Sequence, residues 1–149
     1  MDAVVVESVV RYAHFLGIIL LASMLILENV LLKTELSSSD LRKIAAFDGL
    51  YGLGAVLTLG AGLMLWLSVG KPAEFYNANP VFHTKLTLFL IVALVSIIPT
   101  LFFLKNRRVE ASSVAVPKHI LVIKRLELVG ILIIPLLAAL MALGIGISV

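Results

Sequence analysis

Residues 86–104 read LTLFLIVALVSIIPTLFFL and carry no charged side chain. A helix on the surface of a soluble domain would show a polar face every 3.6 residues; this stretch shows none. At 1.5 Å of rise per residue it is long enough to cross the ~30 Å hydrocarbon core of a bilayer. Upstream, Asn79 followed by Pro80 is a cap with proline in the first helical position, which starts the helix at 80. Downstream, Lys105, Arg107 and Arg108 end the apolar run, and Pro99 inside it is expected to kink the helix.

Three further stretches read the same way, so the expected spans are 9–32, 44–69, 80–104 and 120–148. Ser37, Ser38, Ser39 and Asp40 are N-cap residues, which predicts an exposed amphipathic turn, Leu41 to Phe47, before the second span enters the bilayer. Gly70, Lys71 and Pro72 end that span, and the fourth helix starts after Pro117. The expected fold is an all-α integral membrane protein, a single domain of four transmembrane helices. Its 149 residues, 61% hydrophobic and 14% charged, leave no room for a soluble domain beside four spans.

Nine Lys and Arg residues, Lys124 and Arg125 among them, are counted to the loops after spans one and three, against Arg11, Lys71 and Lys85 on the other side. This positive-inside bias places the basic loops in the cytoplasm and both termini outside, in an inner membrane. The net charge of +3 follows from that topology and calls for no nucleic acid. Asp2 and Glu7 stand where a signal peptide would be basic, so the first span is expected to be retained and the mature chain to begin at Met1. The absence of cysteine removes disulfides, thiolate metal sites and Cys nucleophiles. No metal site is assigned, and no Ser-His-Asp, Gly-x-Ser-x-Gly or phosphate-loop pattern occurs.

Helices in lipid associate by close packing at small residues. Gly54, Thr58 and Gly62 form one such stripe, and Ala138, Ala142 and Gly146 another, both expected at helix contacts within the subunit.

Ionisable residues in spans are functional candidates by default, and here they fall into two layers. Arg11, His14, His83 and Lys85 lie near the outer surface, among Trp66, Phe75, Tyr76 and Phe82, which read as an interfacial belt or, less economically, a lid. Glu28, Asn29, Asp48, Tyr51, Ser96, Thr100, Arg125 and Glu127 lie toward the inner surface. His14 and Glu28 return to nearly the same face of span one, ~21 Å apart. Asp48, Tyr51, Ala55, Leu59, Gly62 and Trp66 are expected on one face of span two.

His14 is either an axial haem ligand or proton carrier, or an interfacial histidine bonded to a neighbour; His83 and the loop residue His119 favour the plainer reading. Lys85, a cation near a helix N-terminus, calls for an anion such as Glu74 or a haem propionate, unless it snorkels to the surface. Glu28 is a proton relay with Asp48 and Tyr51, or pairs with Arg42, Lys43 or Arg125. Asp48 is expected in a salt bridge at the helix foot.

Asp48-Gly49-Leu50-Tyr51-Gly52, Lys71 with Glu74-Phe75-Tyr76, Asn79-Pro80-Val81-Phe82 with Lys85, Ser96 with Pro99-Thr100, Arg125-Leu126-Glu127, and Tyr12-Ala13-His14 resemble a family of bacterial integral membrane proteins of unknown function (domain of unknown function 2214) over nearly the whole chain. That resemblance implies a four-helix membrane fold and no activity. More distantly, the order of features is similar to the HemJ-type protoporphyrinogen oxidases and related copper-resistance membrane domains: an early histidine, a short basic loop and His83-Thr84-Lys85 at the start of span three. Glu28 departs from that pattern. The second resemblance implies a membrane oxidoreductase with haem b, His14 as ligand and Lys85 as a polar partner, beside His83 and Arg11. Three functions stay open: a haem- or porphyrin-binding redox protein, a small proton-linked transporter or channel, and a non-catalytic subunit of a homo-oligomer or larger membrane complex.

Overall fold

A computed structural model describes residues 2–110 and 112–146, and these are all-α apart from one two-residue ribbon. The elements are α1 (Ala3–Leu31), β1 (Glu35–Leu36), α2 (Ser38–Met64) continued by a π-helical turn (Leu65–Val69), α3 (Ala73–Asn77), α4 (Pro80–Asn106), β2 (Val114–Ala115) and α5 (Lys118–Ala142). The ends follow local chemistry. The Ser37 hydroxyl accepts from the Asp40 amide at 3.2 Å, and the Asn79 side chain accepts from the Val81 amide at 2.9 Å, with Pro80 in the first turn where its missing N–H is not needed.

The long helices pack in chain order around a ring, α1 on α2, α2 on α4, α4 on α5 and α5 back on α1. α1, α2 with its π turn, and α4 are each long and apolar enough to cross a membrane. Burial is reversed relative to a soluble protein: Ile19, Leu53, Leu94, Leu101, Leu132 and Leu136 face outward while Glu28, Asp48, Lys124 and Glu127 are enclosed. Such continuous apolar exposure suits lipid.

At one end, β1 pairs antiparallel with β2, and the Val116 amide donates to the Thr34 carbonyl at 2.8 Å. The two basic loops are thereby tied together at the same end of the bundle. Beneath this ribbon Leu36, Leu41, Ile44, Phe103, Val116 and Ile120 form an apolar cluster. The expected exposed turn at Leu41 to Phe47 is corrected here: Leu41 and Ile44 are fully covered, because the ribbon and the start of α5 close over them.

α1 and α2 approach most closely. A Cβ on Gly17 would stand 2.7 Å from the Thr58 amide nitrogen, and one on Gly54 would stand 2.7 Å from the Leu21 nitrogen. The Gly54–Thr58 stripe is therefore a helix contact. The second stripe is not a continuous helix face: α5 ends at Ala142, which is exposed, Gly144 and Gly146 have φ of 78° and 96°, and Gly146 packs instead against the start of α4, where a Cβ would stand 2.9 Å from Asn79 and Val81. The Gly144 and Ile145 amides turn back to the Met141 and Leu140 carbonyls, a glycine-terminated helix end. The expected fourth span thus stops six residues short of 148 as a helix, and 147–148 lie outside the described residues. The tight position on α5 is Gly130, where a Cβ would stand 2.7 Å from Val92.

Candidate functional site

The inner layer converges on one lysine. Lys124 of α5 points into the bundle with no exposed surface, and its Nζ lies 2.7 Å from Glu28 Oε2 of α1, 3.2 Å from Asp48 Oδ1 of α2 and 3.1 Å from Glu127 Oε2 of α5. The Tyr51 ring lies 4.6 Å from Nζ, a cation–π contact. Ser96 of α4 lines a cleft together with Asp48 and Tyr51, and its hydroxyl donates to the Ala93 carbonyl at 2.8 Å. Asn29 donates to the Leu25 and Lys124 carbonyls at 2.9 and 3.1 Å, tying α1 to α5. All four long helices contribute.

Three carboxylates facing one ammonium leave the fully ionised cluster with two excess negative charges. Glu28 is completely buried and its Oε1 has no hydrogen-bond partner among the described residues. Removing charges from water costs several kcal/mol per ion, which close pairing only partly offsets. Among the described residues no group of three or more His, Cys, Asp or Glu is arranged to hold a metal ion. A cleft of about 330 Å³ runs between α2 and α4 beside the cluster, with Asp48, Tyr51, Ser96 and Thr100 among its lining residues.

Asp48 is in the expected helix-foot salt bridge, but Glu28 is not paired as expected. Arg42, Lys43 and Arg125 are exposed, and Lys43 instead reaches Asp40 at 3.3 Å. Lys124, at the centre of the cluster, is a residue that charge counting assigned to a cytoplasmic loop. A signal was present: Ile120, Lys124, Glu127 and Ile131 recur at helical spacing, and all four are buried, while Arg125, one step round the helix, is exposed.

The outer layer is less concentrated. The His14 Nδ1–H donates to the Thr58 carbonyl at 2.8 Å, and the ring edge packs on Gly62 in the α1–α2 seam. Val10, Gly17, Leu21, Leu25 and Glu28 are buried along the same helix, so one face of α1 joins both layers. On α2 the buried line runs Asp48, Tyr51, Gly54, Thr58, Ala61. The expected Ala55, Leu59, Gly62 and Trp66 lie beside this line and are partly buried, Ala55 and Leu59 against the apolar core and Gly62 against His14, while close packing on α1 puts the most buried positions on a seven-residue repeat.

Arg11 is exposed and bonded to Glu7. His83 is exposed, 2.9 Å from the Asn77 carbonyl. Lys85 is half-buried with its Nζ 5.5 Å from the Phe82 ring, and Glu74 does not pair with it. The structure thus gives these four residues separate contacts. Trp66 donates to Asn77 at 2.9 Å and stacks edge-on against Phe82, which meets Tyr76 and, through it, Phe75.

Comparison with curated proteins and with solved structures gave no match, and neither comparison adds to the resemblance to HemJ-type oxidases. A family described as "Predicted membrane protein (DUF2214)" matches residues 6–146, which take in His14, the Lys124 cluster and every long helix of the bundle. The chain belongs to that family of predicted membrane proteins.

Proposed function

We propose that the protein is a four-span inner-membrane protein that moves protons, alone or coupled to a solute, with the Lys124 cluster as the group that holds the proton. One observation carries this reading: Glu28, Asp48 and Glu127 surround a single lysine in a buried site, and a proton or a cation must balance the excess charge. Glu28, Asp48 and Tyr51 are the relay expected at this depth, and Lys124 and Glu127 complete it. In this reading α5 is the fourth span, the tied basic loops are cytoplasmic and both termini lie outside. Four spans are few for a carrier, so assembly with further copies or other membrane subunits is part of the reading.

The test is proton flux into liposomes under an imposed diffusion potential. Glu28→Gln removes one of the three negative charges around Lys124 and leaves the other two to pair with it, so the variant is expected to keep its fold. Its flux is expected to fall at least tenfold; equal flux in wild type and variant overturns the reading.

A second reading, a haem or porphyrin at the outer layer, has one observation in its favour. His14 gives Nδ1 to a backbone carbonyl and makes no hydrogen bond through Nε2 among the described residues, which is how a ligating imidazole is held. His14 would be the ligand, and Lys85 or Arg11 a cation for a propionate. A Soret band in purified protein that disappears in His14→Ala is the expected sign, and a wild type colourless after haem addition contradicts it.

A further inference from the structure

We propose that the cleft between α2 and α4 binds an amphiphilic organic monocation, a protonated amine with an apolar body, its ammonium at Asp48. The cleft's volume, about 330 Å³, falls at the small end of the range for ligand pockets. Its polar groups sit together: Asp48, Tyr51, Ser96 and Thr100 line it beside apolar Ala55 and Ile97. Space is left open by glycine, for a Cβ added at Gly49 or Gly52 meets nothing within 4 Å.

Charge selects the occupant. Lys124 uses Oδ1 of Asp48 at 3.2 Å and is shared with Glu28 and Glu127, so Asp48 faces the cleft with less than one positive charge opposing the cluster behind it. The Glu28 Oε1 atom, buried without a hydrogen-bond partner among the described residues, deepens that negative field. An anion has no cation to meet, because Asp48 is among the residues lining the cleft whereas no Lys or Arg is. A bare metal ion has no ligand set among the described residues, and the apolar wall favours a carbon skeleton. An ammonium at Asp48, flanked by the hydroxyls of Tyr51, Ser96 and Thr100, supplies what the cluster lacks, while its apolar body replaces lipid or water along the wall.

The proposal names the solute of the proton-linked reading and rests on that reading for transport, whereas binding stands by itself. The test uses the full chain in mild detergent and follows thermal unfolding while 2-phenylethylamine or 4-phenylbutylamine is added, with alcohols of the same skeleton as controls. The amines are expected to raise the melting temperature saturably and the alcohols to leave it unchanged. Gly52→Leu, which fills the cleft and removes no charge from the ion cluster, and Asp48→Asn are each expected to weaken the amine response at least tenfold. Equal responses to amine and alcohol, as a neutral lipid-like occupant would give, overturn the proposal, as does an undiminished response in Gly52→Leu. Glu28-dependent proton flux without any amine response overturns the cleft site alone; an amine response without flux overturns the transport reading alone.

Discussion

Lys124→Met is expected to be among the most damaging single substitutions in the chain. The methionine matches the lysine in length but leaves Glu28, Asp48 and Glu127 facing one another without the ammonium that now lies within 3.2 Å of each. Removing one partner of a buried ion pair typically costs about 3–5 kcal/mol, a large part of a usual stability of ~5–15 kcal/mol. Adding Glu28→Gln to Lys124→Met should restore part of the loss, because it removes one of the uncompensated charges. Thermal unfolding read from Trp66, the single tryptophan, checks both variants. Two melting temperatures that fall by the same amount, or a Lys124→Met variant as stable as wild type, would mean that the cluster does not bind the helices together.

The second large effect lies in the α1–α2 seam. At Gly17 and Gly54 an added Cβ meets backbone atoms of the opposing helix at 2.7 Å, so no side-chain rotation relieves the clash. Overpacking costs about 1–3 kcal/mol where the surroundings yield; here the two helices must separate, and Gly17→Leu or Gly54→Leu is expected to exceed that range. Separation also lengthens the His14 to Thr58 hydrogen bond, which crosses the same seam. Gly49→Ala and Gly60→Ala are the controls, since nothing lies within 4 Å of either Cβ. Each should be neutral or stabilising by about 0.5–1 kcal/mol through helix propensity. Unfolding in mixed micelles with increasing denaturing detergent separates the two pairs.

These effects show which parts of the molecule were readable before its structure. Helix starts were legible because Ser37, Asn79-Pro80 and Pro117 act locally, through caps and a missing N–H. Gly54 and Thr58 were legible as a packing stripe because lipid leaves small-residue contact as the main route to association. Helix rotation was not legible, for nearly every residue is apolar and lipid-facing and core positions look alike. Lys124 and Arg125 show the consequence: adjacent in sequence and both counted to a basic loop, they lie ~100° apart on the helix, which buries one and exposes the other. The same blindness directed Glu28 to Arg42, Lys43 or Arg125 in place of Lys124. The Ala138, Ala142 and Gly146 stripe failed for a different reason, because Gly144 and Gly146 take positive φ and end α5 before the third member is reached.

Lys124 is an interior residue that joins the charged groups of three helices, and amine acylation of the intact protein in proteoliposomes tests this burial. Lys118, exposed at the start of α5, serves as the internal standard. After brief treatment with a water-soluble acylating reagent that reaches the basic loops, mass spectrometry should find Lys118 modified and Lys124 untouched, with Lys124 reacting only once the protein is unfolded. Modification of Lys124 at the rate of Lys118 would place its amine in water, and the buried cluster, with the proton-holding role built on it, would be wrong.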